Sequence, residues 1–200
     1  MKVDFHVHSS NRSPCGTSTE DEMIQAAIRE GLQAIAFTDH NLLMPCEKLE
    51  ELRKRYSPFI ILGGIEISFG MEHIVVLGIQ DKKLESHKWR YPELHAFCRK
   101  HRGFIFLAHP YRFNPTVEVD IFKHPPDAVE VYSANINPNT KPLIDELAAK
   151  LDVPKLSNSD GHRADLMGKY YNILDNTTDS ESRIFSMLRK GKFVRAALDR

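Results

Sequence analysis

Asp4-Phe5-His6-Val7-His8 stands at the head of the chain, and Lys2–His6 reads as a β-strand. On a strand, residues i and i+2 face the same side, so both imidazoles can reach one ion. A His-x-His pair can also arise by chance in a chain with ten histidines. What gives this one weight is that its pattern recurs. Ala34–Thr38 runs into Asp39-His40, and Phe104–Ala108 runs into His109-Pro110. Lys155–Asn158 runs into Ser159-Asp160-Gly161-His162, and Gly64-Ile65-Glu66 stands near His73. Each group lies at or just after a short apolar run. Imidazole nitrogen and carboxylate oxygen both suit zinc, manganese and iron, and a carboxylate can bridge two ions.

Between these runs the pattern changes to helix. Thr19-Glu20-Asp21-Glu22 has the capping-box spacing, Met23, Ile24, Ala27 and Ile28 form an apolar stripe, and Gly31 stops the helix. Further helices are expected at Cys46–Arg55, Tyr91–His101, Thr140–Leu151 and Ser180–Arg189. Further strands are expected at Phe59–Leu62, Ala128–Tyr132, Tyr171–Leu174 and Phe193–Ala196. A hairpin, Ile65–Phe69 with Ile74–Ile79, turns at Gly70-Met71-Glu72. Alternating strand and helix predicts a parallel sheet with right-handed crossovers. An eight-stranded barrel typically needs ~250 residues, and this chain has 200. The expectation is an α/β fold: one domain over residues 1–200, built as a distorted TIM-like barrel of about seven strands. In such barrels the active site lies at the C-terminal strand ends, where the His and acidic groups fall.

Lys plus Arg and Asp plus Glu number 27 each, which argues against an electrostatic nucleic-acid binder. Cys15, Cys46 and Cys98 have no metal-type pair spacing, and a reduced cytoplasmic setting is expected. The chain opens on a charged strand rather than a signal peptide, and no apolar stretch approaches the ~20 residues of a membrane span.

Each candidate has a plain alternative. Glu66 among isoleucines is costly to bury without a partner, and a surface-facing strand position is the other reading. Asp160 fits a metal ligand or an Asx-turn. Asp39 suits the role of orienting a ligand histidine, and Asp4 either that role or a strand-edge charge. Arg112 can grip phosphate oxygens or be a solvated loop arginine, with Arg12 and Arg163 weaker versions of the same idea. Glu130 ends an apolar strand and faces either the barrel mouth or a helix. His87, His95, His101 and His124 read as surface histidines.

Taken together, Asp4–His8, Phe37–His40, Gly64–Glu66, His73, Ala108–Pro110 and Asn158–His162 resemble the polymerase and histidinol phosphatase (PHP) superfamily over nearly the whole chain. The resemblance implies a distorted seven-stranded barrel, a trinuclear centre and phosphoester hydrolysis. It implies that His6, His8, Glu66 and Asp160 hold a first ion. Glu66 would bridge to a second ion completed by His73 and His109, and His40 and His162 would hold a third. Two or three divalent ions of zinc, manganese or iron are the implied cofactors. Catalysis falls to Glu66, Asp160 and Arg112, and a metal-activated hydroxide attacks phosphorus. Many relatives place a further Asp or His ligand in the loop after the His pair, where this chain has Ser13-Pro14-Cys15-Gly16. The expected substrate is a small phosphorylated metabolite or nucleotide. The alternatives are a nuclease acting on nucleic-acid ends and a non-catalytic interaction domain.

Overall fold

The computed structural model describes residues 1–86 and 88–197, so the surface reading of His87 lies outside the described residues. The chain forms β1 (Lys2–Val7), α1 (Glu20–Arg29), β2 (Ala34–Phe37), α2 (Cys46–Tyr56), β3 (Ile60–Phe69) and β4 (Glu72–Leu77). There follow α3 (Lys83–Ser86), α4 (Tyr91–Lys100), β5 (Phe104–Ala108), β6 (Ala128–Tyr132), α5 (Lys141–Leu151) and β7 (Lys155–Ser157). β8 (Tyr170–Leu174), α6 (Glu181–Arg189) and β9 (Phe193–Ala197) complete it. Thr19 caps α1 in the expected box, with Glu22 reaching back to the cap.

The α/β barrel holds, with nine strands among the described residues rather than seven, in the order β7-β6-β5-β4-β3-β2-β1-β8-β9. β1, β2 and β3 run parallel, as do β5, β6 and β7. β4 is antiparallel to β3 and β5, and β8 is antiparallel to β1 and β9. A two-residue turn at Gly70-Met71 sends β4 straight back beside β3, which a crossover helix would not do. The two runs expected around Gly63-Gly64 are one strand. A Cβ on Gly64 would lie 2.8 Å from the Val76 carbonyl oxygen, so the glycine permits close approach of β4 rather than ending β3.

The wall is closed between β7 and β8 by a side chain instead of a ladder. Asn172 of β8 accepts the Ser157 N–H (3.0 Å) and donates to the Ser157 carbonyl (2.7 Å) and to Asn158 Oδ1 (3.0 Å). Inside lie Val3, Phe5, Leu62, Val75, Phe104, Phe106 and Leu156, plugged at one end by Ile184, Phe185 and Leu188 of α6. Outside, α1 and α2 pack on Ile35, Phe37 and Ile61, and α4 and α5 pack on Ile105, Leu107 and Val129.

Strand parity then aims the polar residues. Glu66 shares a strand face with Leu62, and His73 shares one with Val75 and Leu77, so both look inward. The register of β1 against β2 slips between Asp4 and Val7. Val3 and Phe5 face the interior, whereas Val7 faces the helices. The slip inverts parity and turns His6 and His8 inward, the re-aiming that bulges provide beside functional sites.

Candidate metal centre

Four atoms meet at the barrel mouth. His6 Nε2 and His8 Nε2 lie 3.4 and 3.2 Å from Glu66 Oε2, and 3.4 and 3.2 Å from Asp160 Oδ1. All four atoms are buried and lack a hydrogen-bond partner. A buried polar atom left so costs about 1–3 kcal/mol, more if charged. Metal bonds of about 2.05 Å in tetrahedral array put ligand atoms about 3.3 Å apart. The observed spacings match that edge, so the donor set fits an ion and explains four unpartnered atoms at once.

Glu66 divides the histidines between its two oxygens. Its Oε2 also faces His40 Nδ1 at 3.0 Å, and its Oε1 faces His73 Nδ1 at 2.8 Å and His109 Nε2 at 3.0 Å. That is the disposition a bridging carboxylate needs. His8, His40 and His162 form a further group whose rings stack, His8 lying 4.6 Å from His40 and 4.4 Å from His162. His162 Nδ1 donates to the Asp160 carbonyl at 2.8 Å, leaving Nε2 as its ligating atom. The eight residues singled out from the sequence thus gather in one cluster of overlapping groups, in which His40 and Glu66 each belong to two. No such group among the described residues includes Cys15, which is exposed.

The cluster is graded in depth. The side chains of His6, His8 and Glu66 are 0% exposed and those of His109 and Asp160 1%, against 13% for His73, 18% for His162 and 24% for His40. His109 and Asp160 sit on left-handed backbone, at φ 27° and 47°. Such conformations are costly for residues other than glycine and concentrate at functional sites.

Supporting groups lie behind. Glu130 is buried and faces the mouth: its Oε1 meets His6 Nδ1 at 3.1 Å and accepts Asn158 Nδ2 at 2.9 Å, and its Oε2 accepts the His109 N–H at 3.0 Å. Metal-bound histidines are commonly oriented by such a carboxylate. Asp4 Oδ1 accepts the N–H groups of His6 and Ser159, both at 3.1 Å, tying β1 to the loop after β7. Asp39 reaches the cluster through Ser13, whose Oγ donates to Asp39 at 2.7 Å and lies 3.4 Å from His8 Nδ1. Arg112 Nη1 stands 3.4 Å from Asp160 Oδ2, its guanidinium over the exposed Phe113 ring. Asn135, which no spacing marks in the sequence, donates to Asp160 Oδ2 at 2.6 Å. Arg12 is not available for phosphate, since it is held by Asp39 and Glu20. Arg163 pairs with Asp165 at the surface. His101 is exposed, whereas His95 and His124 are half-buried, their rings 5.5 Å apart near the start of β6.

Without an ion the charges hold one another. Burial opposes the charge on Glu66 and Asp160, but the surrounding imidazoles, His6 foremost, hold both well below the usual carboxylate range. Burial also opposes protonation of His8, yet its contacts to Asp160 and Glu66 lift it to about 9. His6 is likewise raised, by Asp160, Glu130 and Glu66 against its burial. His40 is pushed down to about 4 by burial, and burial with neighbouring His8 lowers His162, so both rim imidazoles are neutral near pH 7 and open to an ion. Burial raises Asp4 to about 7 against its hydrogen bonds to Ser159 and His6.

Comparison with known proteins agrees with this picture. A family model described as the PHP domain matches residues 4–198. Over 87 residues, 40% of this chain, the sequence is 31% identical to the phosphoribosyl 1,2-cyclic phosphate 1,2-diphosphodiesterase of Eggerthella lenta. The match spans 32% of that protein's length. A two-domain protein of Bacteroides vulgatus, with a predicted PHP-like metal-dependent phosphoesterase, superposes over 98% of this chain and 64% of its own, with a TM-score of 0.77 and 16% identity. A candidate metal-dependent phosphoesterase of Bifidobacterium adolescentis superposes over 98% of this chain and 96% of its own, with a TM-score of 0.65 and 16% identity. No helix among the described residues is long and apolar enough to cross a membrane.

Proposed function

Because this chain belongs to the PHP domain family, we propose that it is a metal-dependent phosphoesterase acting on a small phosphorylated metabolite or nucleotide. The observation that carries this reading is the quartet of unpartnered buried atoms on His6, His8, Glu66 and Asp160, spaced as ligands are. The diphosphodiesterase name of the Eggerthella lenta relative supports a phosphoester substrate.

His6, His8, Glu66 and Asp160 would hold one ion. Glu66 would share a second with His73 and His109, and His40 and His162 would serve a third. Zinc, manganese or iron bound there would supply Lewis acidity and a water acidic enough to attack phosphorus at neutral pH. The protein's own groups arrange the rest. Arg112 presents donors at the mouth, where a guanidinium can orient phosphate oxygens and offset charge that builds on them. Asn135 and Arg112 both hold Asp160 Oδ2, so its Oδ1 stays turned toward the histidines. The cluster contains no serine or cysteine poised as a nucleophile, and direct attack by water suits it.

The test is a screen of metal-replete protein against phosphomonoesters, phosphodiesters and single-stranded oligonucleotides. Turnover of a small phosphoester, abolished by chelator and restored by zinc, manganese or iron, is expected. Protein that takes up none of these metals would sink the reading.

A further inference from the structure

We infer that Ser13 is a positioning residue that fixes the ring of His8 and passes it the support of Asp39. The inference rests on the reading of His8 as a metal ligand and adds how this chain prepares it.

Donor and acceptor counting forces the direction of each bond. Asp39 is paired with Arg12, through Nε at 2.8 Å and Nη2 at 2.7 Å, and accepts the Ser9 N–H at 2.7 Å. An ionised carboxylate only accepts, so the 2.7 Å contact from Ser13 Oγ uses the single proton of that hydroxyl. The His40 N–H at 3.1 Å donates into the same oxygen. Ser13 therefore has no proton left for His8, and the 3.4 Å contact with His8 Nδ1 requires the ring to donate. His8 is then the tautomer with Nδ1 protonated whenever it is neutral. Its lone pair is on Nε2, the unpartnered atom facing Glu66 Oε2 and Asp160 Oδ1.

The two histidines of the opening motif are thus oriented by different chemistry. His6 has Glu130 directly behind it at 3.1 Å, whereas His8 has a neutral hydroxyl, with the carboxylate one bond further back. The backing loop is fixed: Ser13 is fully buried, its N–H bonds the Ser9 carbonyl at 2.9 Å, and Arg12 is locked between Asp39 and Glu20. Two residues on, Cys15 points to solvent. The loop contributes through the buried serine and not through the thiol.

The experiment uses the full chain stripped of metal, titrated with zinc against a chelating indicator, together with 15N shifts of the His8 ring in the zinc-loaded protein. Ser13→Ala should weaken zinc binding by about 10–100-fold, the usual cost of losing a group behind a ligand histidine. Ser13→Thr, which keeps the hydroxyl, should recover most of that loss, and Cys15→Ser should bind as the wild type does. The wild-type ring should show Nδ1 protonated and Nε2 bound to zinc. Wild-type affinity in Ser13→Ala would overturn the inference, as would zinc on Nδ1 or a larger loss in Cys15→Ser than in Ser13→Ala. Should Ser13→Ala fail to fold, the wild-type spectrum decides alone. A wild-type chain that binds no zinc is a different failure: it overturns the metal reading and the relay with it.

Discussion

Glu66 meets His6, His8, His40, His73 and His109 through two oxygens, whereas Asp160 meets His6, His8, His109 and His162. Glu66→Gln keeps the shape and removes the charge. It should strip metal and lower turnover by more than the about 10–100-fold typical of losing a group behind a ligand, because two sites weaken together. Metal content by mass spectrometry, read beside turnover, checks this. Lys155→Gln, which breaks only a half-exposed pair with Asp145, should leave both unchanged and cost at most about 1 kcal/mol. Most of the eight histidine and carboxylate positions were legible in the sequence because they lie at or just after an apolar run, while Glu66 stood out as a carboxylate among the isoleucines of β3 and His73 as the histidine near the start of β4. Ser13, Asn135 and the inward aim of Glu130 were not. A loop hydroxyl or amide acquires its role from what folds against it, and no periodicity announces that.

At the scale of elements, the segments were legible and their directions less so. Apolar runs mark strands whichever way they point: the turn signal at Gly70-Met71-Glu72 gave away the reversal into β4, whereas β8 read like a member of a parallel sheet. Gly63-Gly64 resembled a break because glycine is disfavoured inside strands, yet here it admits the neighbouring backbone. The shift of parity in β1 is invisible to composition, since Phe5, Val7 and both histidines are buried on either side of it. The clasp at Asn172 was equally hidden. Asn172→Ala leaves the buried Ser157 N–H and carbonyl without partners, so a loss of about 2–4 kcal/mol is expected, from about 1–3 kcal/mol per orphaned group. Urea unfolding of the wild type and the variant measures it. An unchanged midpoint would show that the wall between β7 and β8 is held by packing alone.

For the whole molecule, the ion cluster links stability to pH and metal. In metal-free protein His8 titrates at about 9 rather than its ordinary 6.5, held up by Asp160 and Glu66. Its contribution is complete below 6.5 and is lost as pH rises through about 9. His40 and His162 shift the other way through burial. Their neutral forms are favoured, and the stability associated with them is lost as pH falls below 6.5. Glu66 and Asp160, held low, give way only in acid. The melting temperature of EDTA-treated protein should therefore fall between pH 6.5 and 9. Bound zinc should raise it and remove that decline, because the ligand rings have already given up their protons. A flat profile in the metal-free protein would deny the ion pairing described for His8.

The grading of the cluster from enclosed to accessible has a consequence in time. Solvent reaches the rings of His40, His162 and His73 but not those of His6 and His8. Whatever enters or leaves the floor of the mouth passes the rim imidazoles first. Ions seated at the floor would be residents and those at the rim transients, so the protein's metal content at any moment would record its recent history of supply as well as its affinities.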